Sequence, residues 1–194
     1  AKVGDVIVAC CDKEVVAHLK KNKINYVNTK KNLRSGTDRV YDAINKSGKL
    51  KKYKYIINLQ GDLPNINPED IRKLVSNIKK NKSKIVTLAT KIRDSKKLND
   101  KNIVKVALSK KKSSYNAIYF SRVAIPYNSK NYYEHVGIYA YDRLILEKFI
   151  TYKEGTLEKL ESLEQLRALE NSLNIDVCII NSAPHSIDLS LIHI

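Results

Sequence analysis

The chain has 194 residues, 43% of them hydrophobic, enough for one buried core and the size of a single globular domain. Its formal charge of +16 comes from 29 Lys against 7 Arg, scattered beside many Asn and Ile, with no basic recognition helix and no aromatic-interleaved basic strand, which argues against nucleic-acid binding. No run of about 18 apolar residues occurs and Cys10, Cys11 and Cys178 have neither disulfide-framework nor zinc spacing, which excludes a spanning helix, a disulfide scaffold and a zinc site.

Apolar runs of strand length alternate with segments of helical period, which predicts βαβ units in an α/β fold with a doubly wound, mostly parallel sheet. In chain order the pattern gives a strand over 6–10, helices over 14–21 and 37–45, a strand over 55–59, a helix over 68–80 and a strand over 85–89. Strands over 104–108, 117–120 and 136–140 follow, then helices over 142–151 and 157–172 and a last strand over 175–180. The helix over 68–80 has the clearest start: Asn67 can cap it, Pro68 suits its first position, and Glu69 and Asp70 complement the dipole. Between residues 91 and 135 the rhythm changes to short strands with Pro126, Tyr127, Tyr132 and Tyr133, which reads as a small inserted β-rich subdomain that contacts a partner subunit or covers a site. The N-terminal run Val6 to Ala9 is strand-like rather than leader-like, so a cytoplasmic protein with no membrane partner is expected.

Neither G-x-x-x-x-G-K-[ST] nor G-x-G-x-x-G is present, so any nucleotide is held by another scaffold. The strand over 55–59 runs into Gln60-Gly61-Asp62, with Pro64 and the capped helix behind it. In an open α/β sheet ligands sit beyond the carboxyl ends of strands, where Asp62 could hold a hard cation against phosphate oxygens. A turn in which Asp62 caps nearby amides is the plainer alternative. Ser35-Gly36-Thr37 likewise suits either a nucleotide contact at a helix N-terminus or an ordinary cap. Positive charge would draw in anionic small substrates in either case.

Several separated segments together resemble the Kdo (3-deoxy-D-manno-octulosonate) cytidylyltransferase family. They are Arg34 to Arg39, Asn58 to Asp62 with Pro64, Asn102 to Val106, Tyr119 to Arg122 with Ile125-Pro126, His135 to Tyr141, and Leu157-Glu158 through Leu163 to Arg167. The resemblance implies transfer of CMP from CTP to the anomeric hydroxyl of Kdo, with release of pyrophosphate, for lipopolysaccharide synthesis. It also implies a Mg²⁺ requirement and a homodimer. By the same resemblance Asp62 and Asp188 are the catalytic, Mg²⁺-binding carboxylates. Arg34, Ser35, Gly36, Thr37 and Gln60 belong to the nucleotide site, and Arg122, His135, Tyr139, Glu164 and Gln165 to the sugar-acid site. A cytidylyltransferase for sialic acid or 8-amino-Kdo, and a non-catalytic α/β binding fragment, are the alternatives.

The chain departs from the family at both ends. The opening strand and loop of the form I-P-A-R-x-x-S-x-R-L-P-G-K-P, whose Arg and Lys grip the triphosphate, have no counterpart here, and Leu189 to Ile194 does not follow the family's continuation. The expectation is one nucleotidyltransferase domain over 1–188 without its first strand and phosphate loop, a non-native tail over 189–194, and no useful rate of CMP-Kdo formation from these 194 residues alone.

Overall fold

A computed structural model describes residues 1–111 and 114–184; Asp188 and the 189–194 tail lie outside them. Near the start, β1 (Val8–Cys10) and β2 (Tyr26–Asn28) pair in parallel across α1 (Lys13–Lys21), a helix capped by the Asp12 carboxylate. Helix α2 (Gly36–Lys46) packs on both strands and on β3 (Tyr55–Leu59), tying this small sheet to the main one. There follow α3 (Pro68–Lys80), β4 (Ile85–Lys91), α4 (Ser95–Asn99), β5 (Lys105–Lys110), β6 (Tyr115–Ser121) and β7 (Tyr133–Asp142). The described part closes with α5 (Arg143–Phe149), α6 (Thr156–Glu161), α7 (Leu166–Glu170) and β8 (Ile175–Ile180).

The main sheet runs β3-β7-β4-β8-β6-β5. Strands β3, β4, β5 and β8 point one way, as the sequence pattern predicts, while β7 and β6 run against them. Because the two reversed strands interleave, β4 and β8 are the one directly parallel pair in this sheet among the described residues. The stretch between residues 91 and 135 contributes α4 and the antiparallel pair β5 and β6, which extends the sheet beyond β8.

Period-two alternation gives the sheet two apolar faces. Ile56, Ile85, Tyr139, Tyr141, Ile175 and Val177 face a layer built from α2, α5, α6 and α7. Val86, Leu88, Ile138, Ala140, Cys178 and Ile180 face Leu74 and Ile78 of α3. Helices on both faces make the sheet doubly wound. All three cysteines are free; Cys10 and Cys178 are buried small apolar residues, and burial pushes the Cys178 thiol up to about 11.

Two differences from the predicted elements affect the site. The helix expected over 157–172 is broken into α6 and α7 because Ser162 adopts the left-handed conformation at φ 53°, and the turn that follows carries Glu164 and Gln165. Strand β7 contains an irregularity: Thr87 of β4 pairs with Tyr139, but the next residue, Leu88, pairs with Val136. The Thr87 hydroxyl lies within 3.2 Å of the Val136 carbonyl and 2.8 Å of the Ile138 carbonyl, which stitches the bulge.

Candidate active site

The N-terminus of α2 and the turn between α6 and α7 meet at Glu164. Ser35 Oγ donates to Glu164 Oε1 at 2.6 Å and Thr37 Oγ1 to Glu164 Oε2 at 3.0 Å. Ser35 still caps α2, accepting from the Asp38 amide at 3.1 Å, so the plain capping role and the site role coexist in one side chain. Thr37 is 1% exposed and accepts from Asn58 Nδ2 at 3.1 Å, while Asn58 Oδ1 accepts from Gln60 Nε2 at 3.0 Å. One hydrogen-bonded chain thus joins Ser35, Thr37, Gln60 and Glu164. The Gln60 amide lies against Gly36: a Cβ there would meet Gln60 Nε2 at 2.7 Å and push the amide aside. Burial raises the Glu164 carboxyl above its usual range, opposed by the two hydroxyls and by the charge of Arg167.

The turn bearing Glu164 is fixed from below. Arg167 of α7 forms a doubly hydrogen-bonded ion pair with Glu158 of α6, through Nε at 2.8 Å and through Nη2, and its guanidinium lies 5.1 Å from the Phe149 ring centroid. Both residues are nearly fully buried. Gly155, the N-cap of α6, has no side chain to offer, and the Glu170 carboxylate accepts from the Leu157 and Glu158 amides in its place.

His135 and Tyr139 project from β7 onto the same face. The His135 ring lies 5.0 Å from Phe120, edge-on, and 5.4 Å from Tyr139, and its Nε2 is 3.0 Å from Thr87 Oγ1. Thr87 spends its proton on a β7 carbonyl, so the neutral imidazole carries its hydrogen on Nε2. Enclosure in this aromatic column pushes the His135 pKa down to about 3. Tyr139 is 8% exposed, and its hydroxyl has no hydrogen-bond partner among the described residues. A buried hydroxyl without a partner is costly unless a ligand or water meets it.

The other predicted residues are placed differently. Arg122 directs Nε to the Glu161 carbonyl at 2.9 Å and Nη1 to the Lys101 carbonyl at 3.1 Å, while its own carbonyl accepts from the buried Lys105 Nζ at 2.9 Å. Its fork therefore clamps β6 to the end of α6 and is not joined to the Glu164 network. Arg34 is exposed and reaches Asp38 at 3.2 Å and the Ile150 carbonyl at 3.0 Å. Gln165 stands at the N-cap of α7 without a side-chain capping bond. Asp62 is exposed on the turn after β3 and accepts no hydrogen bond among the described residues, so the capping alternative is not what this turn uses. No group of three or more His, Cys, Asp or Glu that could hold a metal ion occurs among the described residues. An uncommitted carboxylate beyond a strand end fits a hard cation that takes one or two protein oxygens and completes its shell with phosphates and water.

Asn58, Thr87 and the Glu158–Arg167 pair are site-supporting residues to which the sequence pattern assigns no role. Asn58 alone leaves a signal: a polar residue at an inward position of the apolar run Ile56-Ile57-Asn58-Leu59 must find a buried partner.

Comparison with known proteins agrees with this geometry. A match to the family described as cytidylyltransferase covers residues 1–175. The 3-deoxy-manno-octulosonate cytidylyltransferase of Sinorhizobium medicae (strain WSM419) is 39% identical over 97% of this chain and 76% of its own length. The enzyme of the same name from Paramagnetospirillum magneticum (strain ATCC 700264 / AMB-1) is 37% identical over 97% of this chain and 77% of its own length. The solved structure of a CMP:2-keto-3-deoxy-manno-octonic acid synthetase complexed with CTP superposes with a TM-score of 0.85 at 31% identity, covering 97% of this chain and 77% of that one. On sequence and fold together, the chain belongs to the cytidylyltransferase family, among the 3-deoxy-manno-octulosonate cytidylyltransferases.

Proposed function

We propose that the protein binds CTP and Kdo and catalyses transfer of CMP to the sugar acid, giving CMP-Kdo for lipopolysaccharide synthesis. The anomeric oxygen of Kdo forms a bond to the α-phosphorus, the bond from that phosphorus to the bridging oxygen breaks, pyrophosphate leaves and the hydroxyl proton is released to solvent. Such a transfer needs in-line positioning and charge neutralisation rather than a covalent nucleophile. The observation that carries the reading is the hydrogen-bonded chain from Gln60 to Glu164, which joins the nucleotide-site and sugar-site residues of the family pattern in one connected framework.

In this reading Gln60 and Ser35 face the nucleotide with the buried Thr37 behind them, and Tyr139, Glu164 and Gln165 face the sugar hydroxyls, one of which meets the Tyr139 hydroxyl that has no partner among the described residues. His135 supports Tyr139 as a neutral, apolar-faced neighbour. Asp62 holds Mg²⁺, with Asp188 as the second carboxylate of the family pattern. When bound, that ion neutralises charge on the triphosphate. No helix among the described residues is long and apolar enough to cross a membrane. The enzyme is placed in the cytoplasm, where CTP is made, and works as a homodimer through the Tyr127, Tyr132 and Tyr133 stretch.

Calorimetric titration tests the substrate assignment. CTP in the presence of Mg²⁺ is expected to bind more tightly than the other pyrimidine triphosphate, and Kdo added to the CTP-loaded protein more tightly than sialic acid or 8-amino-Kdo. Tighter binding of one of those analogues would transfer the assignment to that sugar. Light scattering across micromolar concentrations tests the dimer, and a monomer throughout would remove it.

A further inference from the structure

The hydrogen-bonded chain from Glu164 to Gln60 has a direction, and that direction determines which end of the Gln60 amide faces a ligand. In its ionised form Glu164 only accepts hydrogen bonds, and the Ser35 and Thr37 hydroxyls are both directed at its two oxygens. Thr37 therefore spends its single proton on Glu164 Oε2, 3.0 Å away, and its oxygen can only accept from the next group. Asn58 must then turn its amino group to Thr37, at 3.1 Å, and its carbonyl oxygen to Gln60. Gln60 in turn must donate Nε2 to Asn58 Oδ1, at 3.0 Å, which leaves Oε1 as the end without a protein partner among the described residues. Asn58 is 2% exposed and Thr37 1%, so water does not relax this order by supplying alternative partners. Gly36 lets the Gln60 amide rest against the start of α2, just beyond the carboxyl end of β3 where open α/β sheets bind ligands.

We infer that Asn58 is a positioning residue for nucleotide selection, transmitting the charge of Glu164 through Thr37 so that Gln60 presents a carbonyl acceptor to an exocyclic amino group and rejects a carbonyl at the same place. The inference rests on the proposed CTP site and extends it, because it assigns the choice between an aminopyrimidine and an oxopyrimidine to a buried relay beginning at a sugar-site carboxylate. Reversing the relay would set two acceptors, Asn58 Oδ1 and Thr37 Oγ1, face to face with no hydrogen between them. That penalty keeps Gln60 from rotating to suit an oxopyrimidine.

Two substitutions break the relay at different links while keeping the number of side-chain heavy atoms. Glu164→Gln supplies an N–H that can donate to Thr37, so both orders become accessible and Gln60 can turn either end outward. Asn58→Leu removes the link and leaves Gln60 to rotate. Titrations of CTP and of UTP, each with Mg²⁺ and without sugar, measure the selectivity ratio, and circular dichroism checks that each variant is folded. The unsubstituted protein is expected to prefer CTP by about tenfold or more, the value of one well-placed hydrogen bond, and each folded variant to fall to within about threefold. A purely structural role for either residue would weaken both nucleotides together and leave the ratio unchanged. Retention of the full ratio by a folded variant overturns the relay while leaving the CTP site intact. Equal binding of CTP and UTP by the unsubstituted protein overturns the nucleotide assignment itself. Should Glu164→Gln fail to fold, Asn58→Leu and the isosteric Thr37→Val carry the same readout.

Discussion

His135 gives the protein an acid sensitivity that can be computed and removed. Its ring is held neutral between Phe120 and Tyr139, with a pKa of about 3 against an ordinary value of 6.5. Between those values the unfolded chain binds a proton at this residue and the folded chain does not, so stability falls as pH drops. From pH 7 to pH 5 the protein crosses about one and a half units of that window, and at about 1.4 kcal/mol per unit the loss is about 2 kcal/mol. This is an upper figure, because the residue keeps part of its surface in contact with solvent. Buried carboxyls such as Glu164, with a raised pKa, act with the opposite sign: their contribution is present at low pH and lost as pH rises. Comparison with His135→Gln isolates the histidine, since the glutamine amide can still reach Thr87 but does not titrate. Urea unfolding at pH 5, 6 and 7 should show the variant losing about 2 kcal/mol less than the unsubstituted protein over this range. Parallel stability profiles would refute the claim that this imidazole is kept neutral by its enclosure.

Breaking the Glu158–Arg167 pair by Glu158→Gln leaves a buried guanidinium without its counter-charge and should cost about 3–5 kcal/mol, read as a lower urea midpoint with unchanged slope. Gly155→Ala should destabilise by about 1–2 kcal/mol, because the added Cβ would displace the Glu170 carboxylate that caps α6; a neutral effect in thermal unfolding would show the cap to be dispensable. Asp62→Asn should change stability by no more than about 0.5 kcal/mol in thermal unfolding, since the carboxylate holds nothing among the described residues. The same variant should lose about tenfold of the gain in CTP affinity that Mg²⁺ provides, and an unchanged Mg²⁺ effect by calorimetry would move the metal away from Asp62.

The elements most legible in the sequence were those whose signals are local. Strands β3 and β8 and helix α3 fall where the apolar runs, Asn67 and Pro68 place them. Strand β2 carries only three residues between lysines and asparagines, too few for any alternation to register. The break between α6 and α7 was invisible because Leu157, Leu160, Leu163, Leu166 and Leu169 keep a steady three-residue spacing through it, and the left-handed residue is Ser162 rather than a glycine. Site residues on helix starts and strand ends could be located by type and by family resemblance, but their connections could not. Ser35 and Glu164 are 129 positions apart, and only the folded chain brings the hydroxyl onto the carboxylate. Arg122 illustrates the reverse: a fork suited to a carboxylate in sequence is occupied by backbone carbonyls in the fold.

The bulge stitched by Thr87 constrains how this region can vary in length. The pairing of β7 with β4 shifts by two residues between Thr87–Tyr139 and Leu88–Val136, and an even shift preserves which side of the sheet each side chain faces. His135 therefore stays on the face of Tyr139 and Tyr141 even though the ladder is interrupted between them. Inserting or deleting a single residue between His135 and Tyr139 would turn the imidazole toward the layer of α3 and bring a side chain from the opposite face into the aromatic column. Insertions and deletions here are thus counted in pairs: a chain two residues shorter could lose the bulge and keep its faces, whereas a chain one residue shorter would exchange them along the whole N-terminal half of β7.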